Sequence, residues 1–432
     1  MADHRGLNVD RCGRVPGDFI VEVKQRIDLV SLIGEDIALK RTGKAYYGCC
    51  PFHDDRSPSF EVDSVRGTYK CRACTASGDA FTWVQEREHV PFWDALVLLA
   101  DRVGLSIPRQ EPRTAEEVQT LRSTGAASSA LRQAASLYTY GLDHNEPARN
   151  YLIKRGIRPE VAQSFGLGYV RSGIRKVLVN RVIDPESIFR AGIVTRQEDG
   201  RETEVLKHRL TIALRNERGH VIGFAGRNLY DQVGAPKYIN TPDTELFRKS
   251  RELFGLDLAR RTIYETRSAI LVEGYFDVIS IHQAGEQRAV AGMGTALSVA
   301  QADRLLRDAT TVYLCLDGDK AGQRATIAAA KLLLSRMKDG QEVRIVRLPG
   351  GMDPDEFIRD RGAEAWRGVL DVSLRLSDFV LEVVCSDLDA DSPESVVQYA
   401  LRSREWLTIC DSCPLYGQAL ARRLQRRLGI KI

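Results

Sequence analysis

Three short apolar runs in this 432-residue chain each lead into acids. They are Ser268-Ala-Ile-Leu-Val-Glu273-Gly-Tyr-Phe-Asp277, Thr311-Val-Tyr-Leu-Cys-Leu-Asp317-Gly-Asp319, and Val343-Arg-Ile-Val-Arg-Leu, which continues to Asp353-Pro-Asp355. Runs of this length separated by helical patterns predict buried parallel strands. In such sheets the chemistry sits at the carboxyl ends of the strands. Adjacent strands would therefore gather Glu273, Asp317, Asp319, Asp353 and Asp355 at one rim, with Asp277 in support. Acids so crowded repel unless cations lie among them. Hard oxygen ligands without nearby Cys or His suit Mg²⁺ or Mn²⁺, and two such ions can clamp the attacking and leaving oxygens of a phosphoryl group. One acid after a strand is commonly a helix cap or turn former. The whole set, with Gly beside Glu273 and between Asp317 and Asp319, points to phosphoryl chemistry.

A second constellation lies near the start. Cys50-x2-His53 and Cys71-x2-Cys74 are two knuckles that can hold one tetrahedral Zn²⁺ with three thiolates and an imidazole. Four protein ligands leave no open position, so the zinc is structural. Cys49 could replace Cys50, but only Cys50 has the two-residue gap to His53. Between the knuckles, Phe60-Glu-Val-Asp and Gly67-Thr-Tyr-Lys-Cys predict strands of a small sheet. Lys40, Arg41, Lys44, Arg56, Arg66, Lys70 and Arg72, interleaved with Tyr46, Tyr47, Phe60 and Tyr69, could grip single-stranded template through phosphates and stacked bases.

The elements that must hold these residues follow from the rest of the chain. Hydrophobic content of 43% supports real cores over two or three domains. A net charge of +4 confines any nucleic-acid surface to a local patch. No apolar run is long enough to span a bilayer, and the polar first twenty residues lack a signal-peptide core, so a cytoplasmic protein without a membrane partner is expected. Nine cysteines without an export signal read as metal ligands or buried thiols. Cys410-x2-Cys413 lacks a second pair and reads as structural. Residues 1–16 read as a loose leader, and 134–170 as helices. The segment Arg209-Leu-Thr-Ile-Ala-Leu and Val221-Ile-Gly-Phe-Ala-Gly-Arg227 predicts a hairpin.

Val-Glu-Gly-Tyr-Phe-Asp with Asp-Gly-Asp-x-Ala-Gly resembles the Toprim domain of the bacterial DnaG-type primases. Cys-Cys-Pro-Phe-His, Ser57-Pro-Ser-Phe, Cys-x-x-Cys and Gly78-Asp-Ala-Phe resemble their zinc-binding domain, and Tyr151-Leu-x-x-Arg-Gly-Ile with Phe165-Gly-Leu-Gly-Tyr their polymerase core. The resemblance runs from about residue 16 to the end. It implies an α/β multidomain chain with an N-terminal zinc ribbon, a mixed α+β subdomain, a Toprim parallel-sheet catalytic core and a C-terminal helical segment. The expected boundaries are a ribbon domain over 1–105, a linker over 106–130 and a polymerase domain over 131–370, with Toprim at 267–349 and helices over 371–432. A tether of that length would let the ribbon serve its own active site or a neighbour's.

The resemblance also implies the activity: a DNA primase, a DNA-directed RNA polymerase that makes short RNA primers on single-stranded DNA from ribonucleoside triphosphates. Glu273, Asp317 and Asp319 would hold Mg²⁺ or Mn²⁺, while Asp353 and Asp355 extend the metal or triphosphate site. Arg209, Arg227, Lys237, Tyr238, Asn240 and Lys249 match the family's template- and nucleotide-holding positions. The chain departs from the family at Ala213, where Pro is usual, and at Ala225, where a second Gly is usual. Family members usually continue into a domain that binds the replicative helicase; this chain stops at Ile432, where that domain would begin. Two other functions share these features. A Toprim nuclease or topoisomerase would cut DNA, and a non-catalytic zinc module would only bind single strands.

Overall fold

A computed structural model describes residues 17–43, 45–53, 55, 57–74, 76–88, 90, 92–107, 115–230, 234–294, 296–386, 389 and 392–429. The expected leader, together with Lys44 and Arg56, lies outside them. The chain forms two compact units, Met1–Val118 and Gln119–Ile432.

The first unit is built on an antiparallel sheet whose strands follow chain order. They are β1 (Lys40–Thr42), β2 (Ala45–Gly48), β3 (Phe60–Asp63), β4 (Thr68–Cys71) and β5 (Ser77–Gly78). In β4 the exposed and buried residues alternate, so Tyr69 and Cys71 face inward. Helices Gly17–Arg26, Leu29–Gly34, Ala80–Arg87 and Phe92–Arg102 supply the rest of the core. Asp79 caps the third of these, accepting from the N–H of Phe81 at 3.0 Å, and also meets Lys24 at 2.8 Å. Two of the rings proposed to stack on template are not on the surface. Phe60 and Tyr69 are 0% and 2% exposed, 5.1 Å apart, and pack with Phe52 and Trp83. A sheet this thin has few other apolar groups with which to build an interior. Tyr46 and Tyr47 remain partly exposed.

The expected linker is shorter than 106–130. A helix runs from Ala115 to Asp143, and Ala127, Ala130 and Leu131 are buried in the second unit. Glycine and serine there sit inside the helix because alanines around them contribute both propensity and a packing face.

The second unit contains two larger sheets. One is antiparallel, in the order β11-β10-β9-β6, with β6 (Leu167–Val170), β9 (Arg209–Arg215), β10 (Val221–Asn228) and β11 (Tyr238–Asn240). A separate pair, β7 (Val194–Arg196) and β8 (Glu202–Glu204), lies between them in sequence. The predicted hairpin is β9–β10, with Arg227 opposite Leu210. By contrast, β6 falls where the sequence reads as helical. The other sheet has β12 (Ser268–Val272), β13 (Ala289–Ala291), β14 (Thr311–Leu314), β15 (Glu342–Ile345) and β16 (Leu374–Arg375), in the order β13-β12-β14-β15-β16. All pairs are parallel except β15–β16. Helices Tyr275–Gln283, Val299–Asp308 and Lys320–Arg336 make the crossovers.

One buried cluster joins Leu210 and Ile212 of β9 to Ile270 and Val272 of β12, so the two sheets share a core. A second joins the far side of the parallel sheet to Phe379, Trp406, Cys410, Cys413 and Leu424 of the C-terminal helices. The thiols of Cys410 and Cys413 donate to the carbonyls of Trp406 and Leu334, consistent with a structural part. No helix among the described residues is long and apolar enough to cross a membrane.

Candidate active site and metal centre

In the first unit Cys50, His53, Cys71 and Cys74 bring their ligand atoms within 4.8 Å of one another. Cys50 Sγ is 3.7 Å from Cys74 Sγ, and Cys71 Sγ is 4.0 Å from His53 Nδ1. Zn–S bonds of 2.3 Å give a tetrahedral edge of roughly 3.8 Å, so the four fit zinc. Burial and the neighbouring sulfurs push the Cys50 thiol up to about 12. Burial also acts against the Cys71 thiolate, but the N–H of Cys74, the Ser59 hydroxyl and the N–H of Ala73 outweigh it and bring that thiol down to about 6. The ligating form is the thiolate, so a cation bound here displaces whatever thiol protons remain. Cys49 is exposed and outside the cluster, which removes the alternative ligand set.

Asp55, which is not a ligand, organises this cluster from behind. It accepts from the Cys50 N–H at 2.8 Å and the Ser59 hydroxyl at 2.6 Å, and lies 3.8 Å from His53 Nε2. The Ser59 hydroxyl and the Cys50 N–H hold its carboxyl at about 2. A carboxylate two residues beyond a ligand His is the signal that could have found it.

In the second unit the strand ends deliver the acids as expected. Glu273 follows β12, and its Oε1 accepts from the N–H of Asp317 at 3.1 Å. Burial raises the pKa of Glu273, and the charges of Asp317 and Asp319 raise it further. Burial likewise raises Asp317, reinforced by Asp353 and Asp319 and opposed by Lys237. Asp277 accepts from the Gly274 N–H at 2.9 Å and is pushed up to about 7 by burial, then by Asp353 and Asp317. Two of the acids also cap helices. Asp319 accepts from the Gly322 N–H at 2.7 Å, and Asp353 from the Glu356 N–H at 2.7 Å. These caps aim the loops without removing the carboxylates from the rim. Like charges crowd Glu273, Asp317 and Asp277 and raise their pKa values, which is the strain a divalent cation relieves, so the donor set fits such an ion.

Asp355 departs from expectation. It is 1% exposed, and its oxygens meet Arg155 at 2.5 Å, Arg359 at 3.2 Å and the Ser280 hydroxyl at 2.5 Å. Helix geometry is the reason. Residues two apart in the helix Pro354–Asp371 and its cap point to opposite sides, so Asp353 at the rim sends Asp355 inward.

The expected cations divide in the same way. Lys237 is exposed and acts electrostatically on Asp317. Arg227 donates to the Tyr238 hydroxyl at 2.7 Å. Arg209 is only 8% exposed, and its Nη1 donates to the carbonyls of Gly226 at 3.2 Å and Pro236 at 3.0 Å. It therefore ties down the segment that leads into β11 and carries Lys237, and does not itself reach outward. Asn240 donates to the Met293 carbonyl at 2.9 Å and accepts from the Tyr275 hydroxyl at 2.8 Å, which fixes the glycine turn after β13. Lys249 is half-buried, its backbone N–H on Asp243 at 3.2 Å.

A cluster that fits zinc and a parallel sheet whose ends gather acids suited to a divalent ion are the marks of a metal-binding protein. Family models for a CHC2 zinc finger, the N-terminal domain of the DNA primase catalytic core and a Toprim-like domain match residues 15–115, 137–260 and 270–358. The DNA primase of Neisseria meningitidis serogroup A is 35% identical over 423 residues, 96% of this chain and 71% of that protein. That of Pasteurella multocida is 33% identical over 392 residues, 90% of this chain and 67% of that one. Among solved structures, the zinc-binding and RNA polymerase domains of Aquifex aeolicus primase superpose with a TM-score of 0.63 at 33% identity, covering 95% of this chain and 97% of that one. A DnaG primase catalytic domain bound to single-stranded DNA gives 0.66 at 30% identity, over 72% of this chain and 98% of that one. This chain belongs to the DnaG-type DNA primase family.

Proposed function

We propose that this DNA primase extends an RNA primer at the rim around Glu273 and Asp317, on a single-stranded DNA template. The 3′-hydroxyl of one ribonucleotide attacks the α-phosphorus of the next, and pyrophosphate leaves. The observation that carries this reading is the convergence of acids after β12, β14 and β15: the Asp317 N–H donates to Glu273 Oε1 at 3.1 Å, and the charges of Asp319 and Asp353 bear on this pair, with Lys237 acting on Asp317 in the opposite sense. Glu273, Asp317 and Asp319 would hold Mg²⁺ or Mn²⁺, which when bound would supply charge neutralisation at the attacking and leaving oxygens. Asp353 extends that site, and Asp277 braces the turn at Gly274. Lys237 and Arg227 receive phosphate oxygens, Lys as a point charge and Arg through its fork of donors.

In the ribbon, one Zn²⁺ on Cys50, His53, Cys71 and Cys74 is structural. Lys40, Arg41, Arg66, Lys70 and Arg72, all exposed, offer charge to template phosphates. The related catalytic domain solved with single-stranded DNA supports that choice of template. The reaction places the protein with the replicating nucleoid in the cytoplasm.

Incubation with single-stranded template, labelled ribonucleotides and either Mg²⁺ or Mn²⁺ tests this reading. Labelled oligoribonucleotides are the expected product. Cut DNA without RNA synthesis would assign the rim to a nuclease instead.

A glycine offers a separate check on the site's geometry. A Cβ at Gly322 would come within 2.1 Å of the Asp317 carbonyl oxygen and 2.7 Å of its carbonyl carbon. Backbone cannot yield as a side chain can, so Gly322→Ala must push the Asp317 loop away. Misplacement of that size lowers a reaction on the order of a hundredfold, and primer yield from Gly322→Ala is expected to fall accordingly while its zinc content stays unchanged. Lys237→Ala, which removes the opposing charge, is expected to raise KM for ribonucleotides about tenfold. Steady-state primer synthesis measures both.

A further inference from the structure

Two guanidinium groups and three rings form a stack beside the rim. The Arg155 guanidinium lies 4.7 Å from the Phe276 ring centre and 5.3 Å from that of Tyr151. The Arg227 guanidinium lies 4.9 Å from Tyr151, 5.1 Å from Tyr238 and 5.9 Å from Phe276. Tyr151 and Phe276 are thus each shared by both arginines. Arg227 is fixed further by its hydrogen bond to the Tyr238 hydroxyl. Such stacks are favourable when desolvated, and they fix the plane of the guanidinium.

What holds Arg155 in the stack is Asp355. Their 2.5 Å contact links the end of the helix Glu146–Lys154 to the helix Pro354–Asp371, two hundred residues on. Ser280 of the helix Tyr275–Gln283 fills the other carboxylate oxygen, and Asp277 accepts from the Asp355 N–H at 3.3 Å. The carboxylate therefore meets three helices and faces no open rim. A charge pair whose carboxylate is fully buried and hydrogen-bonded fixes register between elements more than it adds stability.

We infer that Asp355 is a positioning residue: through Arg155 it sets the Tyr151–Arg227–Tyr238 stack, and so the guanidinium that receives the incoming ribonucleotide's phosphates. It is not one of the cation-holding acids. This rests on the reading above that Arg227 binds nucleotide phosphate. Loss of Asp355 frees Arg155, loosens the rings that the two arginines share and misaligns Arg227. The effect appears in nucleotide affinity, while cation binding by Glu273, Asp317 and Asp319 is preserved.

The test uses the full chain with three variants: Asp355→Asn, Arg155→Lys and Arg227→Ala. Primer synthesis gives KM for ribonucleotides and kcat, and electron paramagnetic resonance of free Mn²⁺ gives ion binding without nucleotide. Asp355→Asn and Arg227→Ala are each expected to raise KM about tenfold, with Mn²⁺ binding as in the parent protein. Combining them should raise KM no further than Arg227→Ala alone, because both act on one contact. Arg155→Lys keeps both charges but loses the planar fork, and it carries the same test if the Asn variant does not fold. Loss of Mn²⁺ in Asp355→Asn would return Asp355 to the ion-holding set and overturn the proposal. So would a normal KM in Asp355→Asn and Arg155→Lys with a raised KM in Arg227→Ala. A normal KM in Arg227→Ala would instead overturn the reading of Arg227 as a nucleotide ligand.

Discussion

Asp317→Ala is expected to lower primer synthesis by at least about a thousandfold, because an acid between two others loses its share of several kcal/mol of charge stabilisation. Asp317 is the centre of the rim: its N–H binds Glu273 Oε1, and its charge bears on Glu273 and Asp277. Removing it leaves the β12–β14 register, from Ser268 opposite Thr311 to Leu271 opposite Leu314, untouched. Binding of a fluorescent single-stranded oligonucleotide should therefore be undiminished in anisotropy titrations. Substantial primer synthesis by this variant would show that the reacting groups meet elsewhere.

Cys71→Ser is expected to release zinc and unfold the first unit. Cys71 is fully buried at the end of β4 and is the sulfur on which the Ser59 hydroxyl and the N–H groups of Ala73 and Cys74 converge. Structural zinc contributes about 10–16 kcal/mol of folding free energy in isolated fingers, against a total of about 5–15 kcal/mol for an ordinary domain. The aromatic group around Trp83 cannot compensate for that loss. Metal analysis, near-ultraviolet dichroism of Trp83 and limited proteolysis follow the change. The second unit has its own cores and should keep its melting transition. A zinc-free variant whose first unit resists protease as the parent does would refute the assignment.

Much of this was legible because the signals are local. A short apolar run that ends in Glu-Gly or Asp-Gly-Asp announces a buried strand and its rim without reference to anything distant. Two knuckles at fixed spacing announce a metal in the same way. Most of the misses are cases in which a partner far along the chain decides; Asp55, whose partners lie within five positions, is the exception. Leu167–Val170 is a strand because β9 pairs with it, Gly168 lying flat against the Tyr138 backbone where a Cβ would approach to 2.6 Å. Arg209 and Asn240 have the chemistry of ligands, but carbonyls at Pro236 and Met293 take their donors. Asp355 has the same side chain as Asp353 and a different task, fixed by Arg155 two hundred positions earlier. Phe60 and Tyr69 resemble stacking platforms until Trp83 closes over them. Side-chain type gives what a residue could do; only tertiary neighbours give whether its functional atoms are still available.

The short antiparallel strand β16 bears on how the catalytic half can be shortened. It occupies the hydrogen-bonding edge of β15, and the helices behind it bury Phe379 and Trp406 against the parallel sheet. A truncation at residue 370 would strip that edge bare and leave a broad greasy face in water, an invitation to intermolecular strand pairing and precipitation. Crystallographers or assay builders seeking a minimal soluble polymerase fragment should begin near residue 119 and retain the last helix, Pro414–Leu428.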